Sequence, residues 1–359
     1  MPKDIEFSID RLYREMRGRI ELLPPERRLP SYRALLASHR CSRQTLTRTL
    51  QRLEEDGVIR TEKRRGMFAT PDPRRRARRI LFLRVDWCCE HAEQISEALD
   101  REFSRRRNYH YTELRYPPEK IAAFLEDLEE TAADLLILWL EEVEPLRLLK
   151  LFQQNIPLVF FDCGIMLANC SIFDLEEEQI GMLAAKHLID CGHREIALMI
   201  TEPKGLTCRK RMNGFLDYLH VNGLKPHVID CEIQHGESSS GMAYDFFLSY
   251  LERNRVDFTA GFAMSDDSAL GVIKALQESG FRVPEEVSIV GGNGITIGER
   301  SDPPLTTVIF DPAEAARELA AGVDELFAGG SFGIRRIPPR LVSRGTVRNL
   351  TPSTKGVES

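Results

Sequence analysis

From Ile80 onward the chain is punctuated by six apolar runs: ILFLRV (80–85), DLLILWL (134–140), PLVFF (157–161), EIALMI (195–200), FTAGFAM (258–264) and VSIVGG (287–292). None exceeds seven residues, which is short for a buried helix. Their continuous apolar character points to strands covered on both faces. The stretches between them, 93–107, 118–131, 145–154, 176–190, 208–222, 240–253 and 267–279, carry helical periodicity. Strands alternating with helices predict an α/β body of parallel sheets. No Gly-rich nucleotide loop follows a strand, and two similar lobes account for the spacing better than one barrel.

In open α/β sheets, ligands bind beyond the carboxyl ends of the strands. That rule nominates Asp86 and Trp87, Trp139, Asp162, Thr201 and Glu202, Ser265 and Asp266, and Asn293. Two lobes presenting such edges form a cleft, and a cleft that closes is a hinge switch. Trp87, just past the first strand, suits stacking on a sugar ring, with core packing as the competing reading. The neighbouring Cys88-Cys89-Glu90-His91 has no matching pair elsewhere, so no metal site is expected.

Residues 30–68 have a different texture and predict helix, tight turn, second helix and a β-hairpin with a basic tip. Leu46, Leu50 and Leu53 repeat at i, i+4, i+7 and face a core. The opposite face offers Gln44, Thr47, Arg48 and Gln51, flanked by Arg43 and Thr45. Ser42 stands at the N-cap and Gly57 at the helix stop. Arg can pair bidentately with guanine and Gln with adenine, so such a helix suits a major groove. The tip Lys63-Arg64-Arg65-Gly66 suits phosphates or a minor groove. A preceding helix spans 5–20, with Ile5, Leu12, Met16 and Ile20 inward. Residues 71–79, PDPRRRARR, read as a basic linker.

Charge separates these regions. The chain of 359 residues has a net charge of −6, yet residues 1–79 carry +10 and the remainder −16. A basic head on an acidic body is the footprint of a nucleic-acid-binding module joined to something else. No apolar run approaches the roughly 20 residues of a membrane span. The N-terminus lacks signal-peptide character, and the eight cysteines show no metal spacing. A cytoplasmic protein with reduced thiols and no membrane partner is expected. No G-x-S-x-G, P-loop or H-E-x-x-H occurs, so neither an enzyme nor a cofactor is expected. Ser238-Ser239-Ser240-Gly241 reads as a helix N-cap, and His187 and His193 as structural.

LPSYRALL, CSRQTLTRTLQRLEEDGVI and RRGMF resemble the winged helix-turn-helix of the gluconate-repressor (GntR) family over residues 7–70. That resemblance implies DNA contacts at Arg33, Arg43, Thr45 and Gly66, with Thr47 where many members have a second Arg. HLIDCGHREIALM (187–199), RKRMNGF (209–215), ALGVIKALQESGFRVPEEVSIVGGN (269–293), PPLTTV (303–308) and PPRLVSRGT (338–346) are similar to the lactose-repressor (LacI) effector domain. This implies a periplasmic-binding-protein-like fold over 80–348, with Arg211 and Asp162 on the ligand. Ser265 and Asn293 stand where that family has an Asn and an Asp that bind the ligand, so either the effector is not the family's usual sugar or the pocket binds weakly or not at all.

The expected organisation is a winged helix-turn-helix head (1–70), a basic linker (71–79), an effector-binding and dimerising body (80–348) and a tail (349–359). The expected function is a homodimeric transcription regulator, a repressor, that grips double-stranded DNA under control of a small molecule, a sugar or sugar derivative. The rival is a DNA-binding regulator whose cleft binds no small molecule. A second rival is implied by the head's resemblance: GntR-type heads also precede pyridoxal-phosphate aminotransferase-like bodies, for which the Schiff-base lysine context is absent.

Overall fold

The computed structural model describes residues 2–21, 23, 26–39, 41–63, 65–70, 77–86, 90–106, 108–117, 120–121, 133–140, 156–164 and 170–351, with the side chains of 2–8, 10 and 21 outside that description. The expected helix at 145–154 lies outside these residues, as does that at 118–131 beyond Lys120 and Ile121. So do Arg64, Trp87 and most of the linker, and the side chain of Ile5.

The head begins with α1 (Pro2–Glu21), α2 (Tyr32–His39) and α3 (Arg43–Glu55), followed by the hairpin β1 (Ile59–Glu62) and β2 (Gly66–Ala69). Its core gathers Leu12, Tyr13, Met16 and Ile20 of α1 with Leu35, Leu46, Leu53, Ile59 and Ala69. Ile59 pairs with Ala69 and Glu62 with Gly66, which leaves the basic tip outside the ladder. The buried stripe of α3 is Thr45, Leu46, Thr49 and Leu53, while Leu50 is only half-buried. The expected stripe through Leu46, Leu50 and Leu53 is therefore rotated, because two threonines rather than Leu50 complete the packed face.

The chain divides into two compact units, Met1–Asp86 with Leu99–Phe161 and Ile165–Ile172, and Trp87–Ala98 with Asp162–Gly164 and Phe173–Ser359. The first unit thus holds the head together with β3 (Arg78–Val85), β4 (Tyr109–Tyr116), β5 (Leu135–Trp139) and β6 (Leu158–Phe161), in the order β6-β5-β3-β4. All three pairings are parallel. The first of these strands takes in Arg78 and Arg79 from the expected linker. The helix α4 (Glu90–Ser104) follows it.

After β7 (Ser171–Asp174), the second unit alternates α5 (Glu177–Asp190), β8 (Ile196–Ile200), α6 (Leu206–Val221), β9 (His227–Asp230), α7 (Ser239–Arg253), β10 (Ala260–Ala263), α8 (Asp266–Glu278) and β11 (Ser288–Gly292). A short α9 (Thr296–Glu299), then β12 (Thr306–Ile309), α10 (Pro312–Phe327), β13 (Ile334–Arg336) and β14 (Arg340–Val342) complete it. The sheet order is β14-β12-β11-β10-β8-β9, parallel except for antiparallel β14. A core of Ala197, Met199, Phe247, Val272, Leu276, Ile289 and Leu305 lies between these elements. Strands β4, β7, β9, β12, β13 and β14 and helices α9 and α10 were not expected from the apolar runs and helical stretches.

Helices α5 and α6 approach through glycine. A Cβ on Gly181 would lie 1.9 Å from the Arg211 carbonyl, and one on Gly214 would lie 1.8 Å from the Glu178 carbonyl. Neither position admits a side chain, so the two helices share a backbone-to-backbone contact that sets where Glu177 and Arg211 emerge.

Candidate functional site

The head presents its polar residues on one helix. Ser42 caps α3 in extended backbone, its Oγ accepting from Thr45 N at 3.0 Å. Arg43, Gln44, Thr47 and Arg48 are exposed, as is Arg33 on α2. Tyr32 OH donates to the Arg43 carbonyl at 3.0 Å and lies 2.9 Å from Thr47 Oγ1, which ties α2 to the start of α3. Thr45, expected at the DNA, is only 5% exposed, and its hydroxyl lies 2.8 Å from Ser42 Oγ. It faces inward because it stands one turn before Thr49 on the buried stripe. At the hairpin tip, Lys63 and Arg65 are exposed, with Arg65 Nη1 2.7 Å from Glu62 Oε2. Gly66 opens β2 with φ 113°.

In the second unit, the strand-end rule converges on one buried network. Arg211, in the second turn of α6, is 4% exposed. Its Nε donates to Glu177 Oε2 at 2.6 Å, Nη1 to the Met264 carbonyl and Nη2 to Asn293 Oδ1 at 2.6 Å. Met264 lies just past β10 and Asn293 just past β11, so the guanidinium spans two adjacent strand ends. Ser265 Oγ donates to Glu202 beyond β8, and the other Glu202 oxygen accepts from Ser239 Oγ at 2.6 Å. Burial raises the Glu202 carboxyl above its ordinary range despite those two hydroxyls. Ser265 also forms a reciprocal capping box with Ser268, which holds the start of α8.

Asp162 adds a second charge cluster. It is 4% exposed, and its Oδ1 lies 3.2 Å from Lys210 Nζ, which is also 3.2 Å from Asp174 Oδ1. Burial and the nearby Glu177 charge push the Asp162 carboxyl up to about 8, against the pull of Lys210. Burial opposes the charge on Lys210, but the two carboxylates outweigh it and raise the ammonium. Asp162, Glu176 and Asn293 all hold positive φ, at 45°, 48° and 104°. Such backbone costs about 1–3 kcal/mol per residue and gathers where surroundings enforce it, often at ligand sites.

Asp266, one residue past Ser265, accepts from Thr307 Oγ1 at 2.6 Å and from Ile295 N at 2.9 Å. Burial still carries its carboxyl up to about 7. Asp86, nominated beside these residues by the strand-end rule, instead pairs with Arg11 of α1.

Four participants escaped sequence reasoning or received no role there: Glu177, Lys210, Glu202 and His91. Glu202 was nominated by strand position alone. His91, in the first turn of α4, is 6% exposed, and among the described residues neither ring nitrogen has a hydrogen-bond partner. Burial, then the Arg211 charge, depresses its pKa to about 3, so the ring is neutral. The only sequence signal was the helix start after β3. His193, expected to be structural, bridges Thr259 Oγ1 at 2.9 Å and the Arg348 carbonyl at 3.0 Å. Ser238 caps α7 as expected.

Comparison with known proteins agrees with this architecture. Residues 9–69 match the bacterial regulatory proteins of the gntR family, and residues 185–347 match the periplasmic binding protein-like domain. The HTH-type transcriptional repressor PurR of Haemophilus influenzae (strain ATCC 51907 / DSM 11121 / KW20 / Rd) is 31% identical over 240 residues, covering 65% of this chain and 70% of that protein. PurR of Aliivibrio fischeri (strain ATCC 700601 / ES114) is 33% identical over 195 residues, 53% of this chain and 56% of that protein. Among solved structures, the Escherichia coli transcriptional repressor ascG superposes with TM-score 0.65 at 20% identity, covering 76% of this chain and 100% of that one. A LacI family regulator from Enterococcus faecium with bound ribose gives 0.65 at 23% identity, with the same shares covered. No helix among the described residues is long and apolar enough to cross a membrane. The chain belongs to the family of HTH-type transcriptional repressors that includes PurR, and is a DNA-binding transcription regulator with a gntR-type head on a LacI-like effector body.

Proposed function

We propose that this regulator is a cytoplasmic, non-enzymatic homodimer whose two heads read half-sites of a pseudo-palindrome, and whose body takes a polar, largely uncharged small molecule such as a sugar or sugar derivative. Arg43, Gln44, Thr47 and Arg48 would read the major groove, while Arg33 and the hairpin residues Lys63, Arg64, Arg65 and Gly66 hold the backbone or minor groove. Ser42 positions the reading end of α3, and Thr45 supports Ser42 from inside. The effector would meet Arg211, Asn293, Ser265, Asp162 and His91, with Trp87 offered for stacking.

The observation that carries the ligand class is the buried Arg211 guanidinium, already neutralised by Glu177 at 2.6 Å. A free anion would have to compete with that carboxylate, whereas hydroxyls can add to a neutral network at little electrostatic cost. The ribose-bound Enterococcus faecium regulator supports a carbohydrate as the first class to try. The same network favours a second reading, a body that takes no small molecule, because each of the three guanidinium nitrogens of Arg211 already donates within the chain.

Thermal shift of the full chain across neutral sugars, sugar phosphates and sugar acids separates these readings. A concentration-dependent rise with a neutral sugar, lost in Asn293→Leu, supports the proposal. A rise confined to anionic compounds overturns the ligand class. Silence throughout favours the second reading.

A further inference from the structure

We propose that the head is seated on the β4 edge of its own chain through one face of α1, and that this seat, more than the linker, fixes where α3 points. It rests on the two-headed reading above only for its effect on DNA, since the seat itself is a contact within one compact unit.

At about 100° per residue, Ile9, Leu12, Met16 and Ile20 share one side of α1 and are buried. Arg11 and Gly18, two turns apart, lie on the opposite side. A Cβ on Gly18 would meet Thr112 Cγ2 at 2.6 Å and Leu114 Cδ2 at 3.1 Å, so the helix backbone rests directly on the strand. Arg19 places its guanidinium 5.0 Å from the Tyr116 ring centroid. Thr112, Leu114 and Tyr116 alternate along β4, so they share a face, and all three are buried. The other face carries Tyr111, whose ring stacks on Phe103 of α4 at 5.0 Å.

Strand β4 ends its sheet, and α1 covers the face that carries Thr112, Leu114 and Tyr116. Here the covering helix belongs to the DNA-binding head. At the seam's end, Arg11 Nη2 lies 2.6 Å from Asp86 Oδ2, while Asp86 N donates to the Tyr116 carbonyl at 2.8 Å. The pair therefore clamps α1 to the carboxyl ends of both β3 and β4. On the head side, Arg52 of α3 sits 4.3 Å from the Tyr13 ring centroid, and Tyr13 OH donates to Asp56, just past α3. Sheet, α1 and α3 form a packed series. Asp86 also stands four residues before Glu90, where α4 begins, so the clamp adjoins in sequence the turn that carries His91.

Two experiments on the full chain test this. Gly18→Cys with Thr112→Cys is oxidised mildly and mapped by mass spectrometry, using a mixture of isotope-labelled and unlabelled chains. A link between residues 18 and 112 within one chain is expected; no link, or only hybrid links between chains, overturns the seat. Gly18→Val and Arg11→Glu are then titrated with selected operator duplexes whose half-sites differ in spacing, and with a single half-site. Both variants should hold the single half-site within about twofold of the unmodified chain. Their preference among spacings should fall by at least about fivefold, and Asp86→Arg should restore it in the Arg11→Glu background. An unaltered spacing preference in both variants overturns the orienting role. An unmodified chain with no spacing preference also overturns it and counts against the two-headed reading, while the cross-link still decides the seat.

Discussion

Nη2 of Arg211 lies 2.6 Å from Oδ1 of Asn293, a residue held at φ 104° just beyond β11. The guanidinium therefore does two jobs. It neutralises Glu177, and it holds a strained strand end in the orientation that a ligand would meet.

Removing that cation should be costly. In Arg211→Met, Glu177, itself 2% exposed, loses its partner without gaining water. Breaking a buried pair in this way costs about 3–5 kcal/mol. Urea unfolding at pH 7 should show that loss, and adding Glu177→Met should recover most of it. A single variant as stable as the parent chain would mean that the Glu177–Arg211 pair contributes nothing to stability.

Buried groups pull the pH dependence of stability in opposite directions. The pKa of His91 is depressed to about 3, so as pH falls below about 6.5 the unfolded chain binds a proton that the native chain refuses. Stability is lost across that window. Asp266 is raised to about 7, so between about pH 4 and 7 the native chain holds a proton that the unfolded chain releases. Stability then falls as pH rises. Each group contributes a slope of up to about 1.4 kcal/mol per pH unit. Urea titrations from pH 4 to 8 should show His91→Phe removing the first slope and Asp266→Asn lessening the second, to which Asp162, raised to about 8, adds in the same direction.

The same His91→Phe variant should be more stable at pH 7 by about 1–2 kcal/mol, because two buried nitrogens without partners are replaced by carbon. Whichever sugar stabilises the parent chain should lose most of its thermal shift in the variant. Stability gained while ligand response is lost marks a residue kept for binding. Gain without that loss would assign His91 to packing alone.

On the head, Arg43→Ala and Arg48→Ala should each weaken operator binding by about 1–3 kcal/mol in fluorescence anisotropy, with Arg48→Ala also narrowing the gap between operator and random DNA. Neither should move the unfolding midpoint, since both side chains are exposed. Thr45→Ala should do the reverse. It removes the hydroxyl beside Ser42 Oγ, lowering stability by about 1 kcal/mol while half-site affinity changes little.

The apolar runs exposed half of the strands in each sheet, because those strands are buried on both faces. β4 and β9 escaped because each ends its sheet. Tyr109–Tyr116 mixes polar residues among its apolar ones, and Val228 of β9 is 56% exposed, so neither reads as a continuous run. Strand-end position was enough to nominate Glu202, Ser265, Asp266 and Asn293. It could not nominate Glu177, Lys210 or His91, which come from the opening turns of helices, where carboxylates, lysines and histidines are common on exposed surfaces. Burial of those charges is a property of packing, and packing has no local signature. Thr45 failed for a related reason: a hydroxyl in a first helical turn serves a groove or a cap equally well by spacing alone.

The Gly181–Gly214 crossing limits how this regulator could be retuned. With α5 and α6 touching through their main chains, the reach from Glu177 to Arg211 is a constant of the scaffold. A library aimed at new effectors should leave both glycines untouched and spend its diversity on the turns after β8, β10 and β11. There the proposed recognition groups change without prying the two helices apart.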